Sequence, residues 1–208
     1  NGANRNLSHS CGAVPELMLV KRLDDNNNFE VYHQAIGNTH HLYLNETAAA
    51  ADDADRWNDT TPTSSVFTVG TQIGVNASGS NYIGYIFAPI QGFSKFGIYA
   101  GTNNVNGGFV HCGFKPAFVL TKKTTVAAPY MWDNKRNGFN GSTGNIALFP
   151  HSTSLEGAGT TQRIDLLANG FKFRHADNDH NSTSLVHVYW AFAEAPFVNS
   201  KGVPCNAR

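Results

Sequence analysis

Cys11-Gly12-Ala13-Val14-Pro15-Glu16-Leu17-Met18-Leu19-Val20-Lys21-Arg22 returns 101 residues later as Cys112-Gly113-Phe114-Lys115-Pro116-Ala117-Phe118-Val119-Leu120-Thr121-Lys122-Lys123. Cys, Gly, Pro, Leu and Lys recur in register. Further on, Tyr82-Ile83-Gly84-Tyr85-Ile86-Phe87-Ala88 matches His187-Val188-Tyr189-Trp190-Ala191-Phe192-Ala193 at an offset of 105. A repeat of this length exceeds a solenoid unit and suits half of a large β-sandwich, or one small sandwich. The expected halves are residues 1–101 and 102–199, followed by a tail, 200–208, within one module spanning 1–208.

The segments between these landmarks are short and β-like. Phe171-Lys172-Phe173-Arg174 and Val186-His187-Val188-Tyr189-Trp190 alternate with period two, as half-buried antiparallel strands do. That alternation sets His187 outward, between two core-like valines. Asn-Gly and Asn-rich stretches separate the runs and tolerate the positive φ of tight turns. A short helix is expected only over Glu46 to Ala54. The fold class is therefore all-β, an antiparallel β-sandwich built from two similar halves.

Before the second repeat stands an apolar run, Phe93 to Gly101, then a polar turn. The first repeat begins with the turn alone, so a strand ahead of Asn1, in a longer chain, is expected.

Composition excludes several classes. The 208 residues carry 15 Lys and Arg against 15 Asp and Glu, with 14% charged residues and a pI near 7.3. This neutrality leaves no electrostatic footprint for nucleic acid. No apolar run of about 18 residues spans a bilayer. Polarity comes from Asn, Thr, Ser and Gly.

Three cysteines form no CxxC pair, so zinc and redox motifs are lacking. Cys11 and Cys112 are either buried thiols at strand starts or, if the repeats set equivalent strands side by side, a bridge. Cys205 lies in the tail. Asn-x-Ser/Thr sequons occur at Asn6, Asn45, Asn58, Asn76, Asn140 and Asn181. In a chain this rich in Asn, Ser and Thr, several arise by chance.

Cys11 to Lys21, Val31-Tyr32-His33-Gln34-Ala35-Ile36-Gly37-Asn38, Tyr82 to Ala88, Phe109 to Leu120 and Ala191-Phe192-Ala193-Glu194-Ala195-Pro196-Phe197 together resemble C-terminal modules of bacteriophage tail-fibre and related virion proteins. Such modules are similar to concanavalin A-like (jelly-roll type) lectin sandwiches. The resemblance covers nearly the whole chain. It implies a non-catalytic part of the virion surface, tail or fibre, homotrimeric, contacting a host cell-surface glycan or receptor and other virion proteins. It carries no binding residues with it. A structural capsid or fibre decoration domain is the second reading, and a polysaccharide-degrading enzyme the third.

The candidate residues come from chemistry. A sugar site needs an aromatic face and neutral or charged hydrogen-bonding partners. The long loop Thr47 to Ser65 offers Arg56, Trp57, Asn58 and Asp59. Trp132 with Asn134 offers the same types at a strand end. The alternative for Trp132 is that its ring is core, as is expected for Trp190; for Trp57 an exposed or intersubunit role stands beside packing within its loop. Asp177-Asn178-Asp179-His180-Asn181 opens like a calcium loop, with Asp177, Asp179 and Asn181 as candidate Ca²⁺ ligands. It lacks the Gly and Glu of an EF-hand, and Asp and Asn are also ordinary turn residues. Asp52, Asp53 and Asp55 pose the same choice. Histidines 33, 40 and 41 have no tetrahedral spacing. No strand carries the facing carboxylate pair that glycoside hydrolysis requires.

Overall fold

Alternating apolar positions become antiparallel strands along the whole chain. The computed structural model describes residues 2–136, 140, 146–156 and 163–195. Two units form, Asn1–Pro89 and Ile90–Arg208. The first contains β1 (Arg5–Ser8), β2 (Leu17–Arg22), β3 (Glu30–His33), β4 (His40–Tyr43), β5 (Ala51–Asp52), α1 (Ala54–Trp57), β6 (Val66–Val69), α2 (Ile73–Asn76) and β7 (Tyr82–Phe87). The second contains β8 (Ser94–Ala100), β9 (Phe109–His111), β10 (Pro116–Lys123), β11 (Tyr130–Asp133), β12 (Ile164–Leu167), β13 (Gly170–Phe173) and β14 (Val186–Ala193).

Each unit packs one sheet on another. In the first, a five-stranded sheet, β5-β4-β3-β2-β7, faces the pair β1-β6. Met18, Val20 and Tyr32 from one layer meet Phe67 and Val69 from the other, with Trp57 and Val75 from the two short helices between them. In the second, β11-β10-β14-β8 faces β12-β13-β9. Its core is aromatic: Phe171 and Phe173 pack against Trp132, Tyr130 and Tyr189. The all-β sandwich class expected from the alternation is what forms.

The repeated segments occupy corresponding places. β2 is flanked by β3 and β7, and β10 by β11 and β14. An asparagine fastens the same turn in both units. Asn76 Nδ2 donates to the carbonyls of Ala3 (2.6 Å) and Gly70 (2.8 Å). Asn181 Nδ2 donates to those of Asn104 (3.0 Å) and His175 (2.7 Å). The expected division at 101/102 is nevertheless displaced to 89/90. β8 pairs with β14 from Ser94↔Phe192 to Ala100↔Val186, and that ladder binds it to the second unit. The tail, with Cys205, lies outside the described residues. Cys11 and Cys112 are free thiols; burial pushes Cys112 up to about 12. Among the described residues no helix is long and apolar enough to cross a membrane.

Two local expectations are corrected. The segment expected to be helical, Glu46 to Ala54, is irregular and then extended at β5; helix begins only at its last residue, in α1, and a second short helix, α2, forms where none was expected. Asp53 sets the start of α1 by accepting from Asp55 N–H at 2.9 Å, as N-cap aspartates do. His187 points inward and is fully buried, while Val186 is 42% exposed. Val188 and Trp190 are buried on the opposite face. With both faces of β14 covered, apolar alternation no longer distinguishes them.

Arg56 secures the long loop of the first unit. Its Nε donates to Glu30 Oε2 at 2.7 Å and its Nη2 to Tyr43 Oη at 2.7 Å, while Nη1 donates to Asp53. Both Arg56 and Glu30 are buried. Burial pushes the Glu30 carboxyl up, and Arg56 opposes that shift. Truncating one partner strands the other charge, so Arg56→Ala is expected to lower stability by about 3–5 kcal/mol. The pair Arg56→Met with Glu30→Met should recover most of that loss in denaturant melts, and a double variant as unstable as the single one would refute the account.

Candidate functional site

The residues singled out for sugar contact are mostly spent on the fold. Trp57, open in the sequence between an exposed or intersubunit ring and packing within its loop, has no exposed surface. Its indole meets Tyr32 edge-on at 5.9 Å and its Nε1 donates to His40 O at 3.2 Å. The physical reason is α1, which turns Trp57 into the core beneath the Arg56 network. Asn58 and Asp59 are exposed but held in left-handed backbone, with φ of 51° and 44°. Asn58 Oδ1 accepts from Asn4 Nδ2 at 2.5 Å. Trp132 is 1% exposed and stacks on Tyr130 at 5.7 Å. Asn134 Nδ2 donates to Glu194 Oε1 at 2.8 Å, and Glu194 pairs with Lys115 at 2.7 Å. The sequence candidates thus divide between the two units, and Trp57 and Trp132 are each buried within their own.

The Asp177–Asn181 segment acts as a turn. Asp177 Oδ1 accepts from Asp179 N–H at 2.7 Å, and Tyr130 Oη donates to Asp179 Oδ2 at 3.2 Å. Asn181 is buried and occupied by the turn that it fastens, its Oδ1 accepting from Thr102 N–H at 2.9 Å. Among the described residues no group of three His, Cys, Asp or Glu is placed to hold a metal ion.

A different surface gathers the required groups. β9 forms the edge of the three-stranded sheet in the second unit, and its Val110 turns into the core. Phe109 and His111 therefore face outward. The register sets Lys172 opposite Phe109, Gly170 opposite His111 and Asp165 opposite Lys172. Partners directly opposite share a face. Phe109 is 46% exposed. A Cβ on Gly170 would come within 2.9 Å of Phe109 Cζ and 2.0 Å of Val110 O, so only glycine lets the ring lie over this backbone. Around it, Arg174 Nε sits 3.3 Å from Asp165 Oδ2, and Lys95 Nζ donates to His111 O at 2.7 Å. The result is an open aromatic ring among hydrogen-bonding side chains, with Lys95, Lys172 and Arg174 against Asp165. Nothing in the sequence marked Phe109 apart from the other phenylalanines. The signal that existed was Phe171-Lys172-Phe173-Arg174, whose outward members are two of the three cations of this face.

Several strand carboxylates are ion-paired. Glu30 pairs with Arg56, Asp133 with Arg136, Asp165 with Arg174 and Glu194 with Lys115.

Two of the buried histidines contribute to the response to acid. His41 in β4 packs edge-on against Tyr43 at 5.0 Å; burial first, then the Arg56 charge, lowers it to about 4. His187 stacks on Tyr99 at 4.8 Å, and burial lowers it to about 4 as well. Unfolded, each titrates near 6.5. Both stabilise the fold fully above that value, and the contribution is lost as pH falls from about 6.5 to about 4. Melting temperature should therefore drop across this window, and His187→Phe should flatten the slope. An unchanged slope in the variant would exclude His187 as a contributor.

The fold and its outward aromatic face define a class: an all-β protein of two sandwich units, the second with an exposed phenylalanine among charged side chains. Residues 1–196 match the family described as a domain of unknown function, DUF7483. The chain belongs to that family. No curated protein and no solved structure matches it.

Proposed function

We infer that the chain is a non-catalytic glycan-binding module of a phage virion, working through the Phe109 face of the second unit. The observation that carries this reading is the half-exposed Phe109 ring lying over Gly170 beside Lys172, Asp165 and Arg174. A flat apolar ring suits the C–H face of a sugar, and the surrounding groups suit its hydroxyls. Three cations against one carboxylate favour a sugar bearing an acidic group. The ion-paired carboxylates favour binding over hydrolysis, since a glycosidase needs two carboxyl groups poised at one bond. The virion setting, the trimer and the host-surface partner rest on the resemblance of the Cys11 and Cys112 segments and their companions to tail-fibre modules.

The test is binding of the purified chain to an array of bacterial surface glycans at low and physiological salt. Acidic glycans should bind saturably and weaken as salt rises. Phe109→Ala should reduce affinity by at least about tenfold, the equivalent of one lost apolar contact, with the far-ultraviolet spectrum unchanged. Undiminished binding by this folded variant would sink the assignment of the face. A chain that binds no glycan but attaches to purified virions would fit a decoration domain instead.

A further inference from the structure

The three cations of the Phe109 face are not equivalent. Lys95 Nζ is engaged, donating to His111 O at 2.7 Å. Arg174 is engaged twice: its Nε holds Asp165 Oδ2 at 3.3 Å and its Nη1 donates to Asn106 Oδ1 at 3.4 Å. Lys172 lies directly opposite Phe109 on one neighbouring strand and Asp165 on the other. Opposite charges so placed ordinarily pair across the sheet. Here the carboxylate is taken by Arg174 instead. Among the described residues, Lys172 Nζ has no ion pair and no hydrogen bond. One ammonium is therefore left unanswered beside the exposed ring.

The first unit supplies the comparison. Its β1–β6 pair stands where β9–β13 stands in the second, across the sandwich from the repeated sheet, and β1 and β9 each run toward a repeated Cys-Gly. Phe67 and Val69 of β6 enter the core, as Phe171 and Phe173 of β13 do. Between them, Thr68 lies opposite Asn6, and its Oγ1 donates to Asn6 Oδ1 at 2.8 Å. In the second unit Lys172 takes the place of Thr68, and the residue opposite is Phe109. That pair has no hydrogen bond to exchange. The same framework thus carries a self-satisfied pair in one unit and an open cation against an aromatic ring in the other.

We propose that Lys172 is the specificity residue of the Phe109 face and takes the carboxylate of a uronic acid whose ring stacks on Phe109. Arg174 is a positioning residue that keeps Asp165 from claiming that ammonium. The assignment rests on the glycan reading above and narrows it to one charge. A lysine is a point charge, suited to a single anionic group on the stacked sugar. The forked guanidinium that would favour phosphate is already spent on Asp165.

The test compares binding of the full chain, by calorimetry at two salt concentrations, to a uronic acid oligosaccharide and to the same oligosaccharide with its carboxyl groups reduced to alcohols. The acid should bind about tenfold more tightly, the worth of one charge-assisted hydrogen bond, and only its affinity should fall as salt rises. Lys172→Met should erase both the ratio and the salt dependence while the reduced form binds as before. Lys172→Arg, which keeps the charge, should retain both. Arg174→Met should also erase the ratio, because Asp165 is then released to Lys172, and adding Asp165→Asn should restore it. A ratio that survives Lys172→Met, or that Asp165→Asn fails to restore, would overturn the assignment. So would tighter binding of a sulfated form of the reduced oligosaccharide than of the acid. Equal binding of acid and reduced forms by the unaltered chain, lost for both in Phe109→Ala, would overturn the role of Lys172 and leave the Phe109 face standing. Binding of neither form would overturn both.

Discussion

The buried guanidinium of Arg56 is the constraint on which the first unit depends. Loop residues 47–65 are polar and would be expected to stay in solvent. Instead, the loop dips into the sandwich because one cation satisfies Glu30, Asp53 and Tyr43 together. Once the cation is fixed, α1 follows, and with it Trp57 closes the core against Tyr32. The glycines nearby obey the same demand. A Cβ on Gly74 would lie 2.4 Å from Glu30 Oε1, and one on Gly70 would lie 2.1 Å from Asp55 O. Removing either hydrogen would crowd the carboxylate or the helix. The second unit also buries a cation, Lys122, whose ammonium donates to a backbone carbonyl, that of Ala127, at 3.0 Å. The unit is held by aromatic packing around Phe173, Trp132 and His180, which needs shape rather than charge.

Much of the architecture was legible in the chain because period-two alternation and turn chemistry are local. The strands at Leu17, Tyr82, Phe171 and Val186 can all be read from short windows, and so can the burial of Trp190. Three features were not legible, each for a nonlocal reason. The division between units depends on which neighbour β8 pairs with, and nothing within Phe93 to Gly101 states that choice. His187 was misplaced because the residues covering the two faces of β14 come from other strands. Trp57 was left open between exposure and packing because its burial is imposed by Glu30, twenty-seven residues earlier in the chain. An isolated polar loop gives no hint of such a partner.

The same nonlocality explains why the candidate site was missed. A binding surface on a sheet is a lattice of residues two apart on neighbouring strands. Phe109, Lys172 and Asp165 become adjacent only through the β9–β13–β12 register. Trp57 and Trp132 attracted attention as rare residues, yet large aromatics are also what a small sandwich core most needs. Phe109 is an ordinary residue in an unusual place, exposed because Gly170 leaves room for its ring.

The β8–β14 ladder also bears on the order of folding. β8 opens the second unit and β14 is the last of its described strands, so their pairing joins segments far apart in the chain. Contacts so distant in sequence form late, and the unit closes only once its last strand has been synthesised. A Cβ on Gly97 would lie 3.0 Å from the Tyr189 ring, so a small residue at the centre of β8 is what lets that last strand close over it.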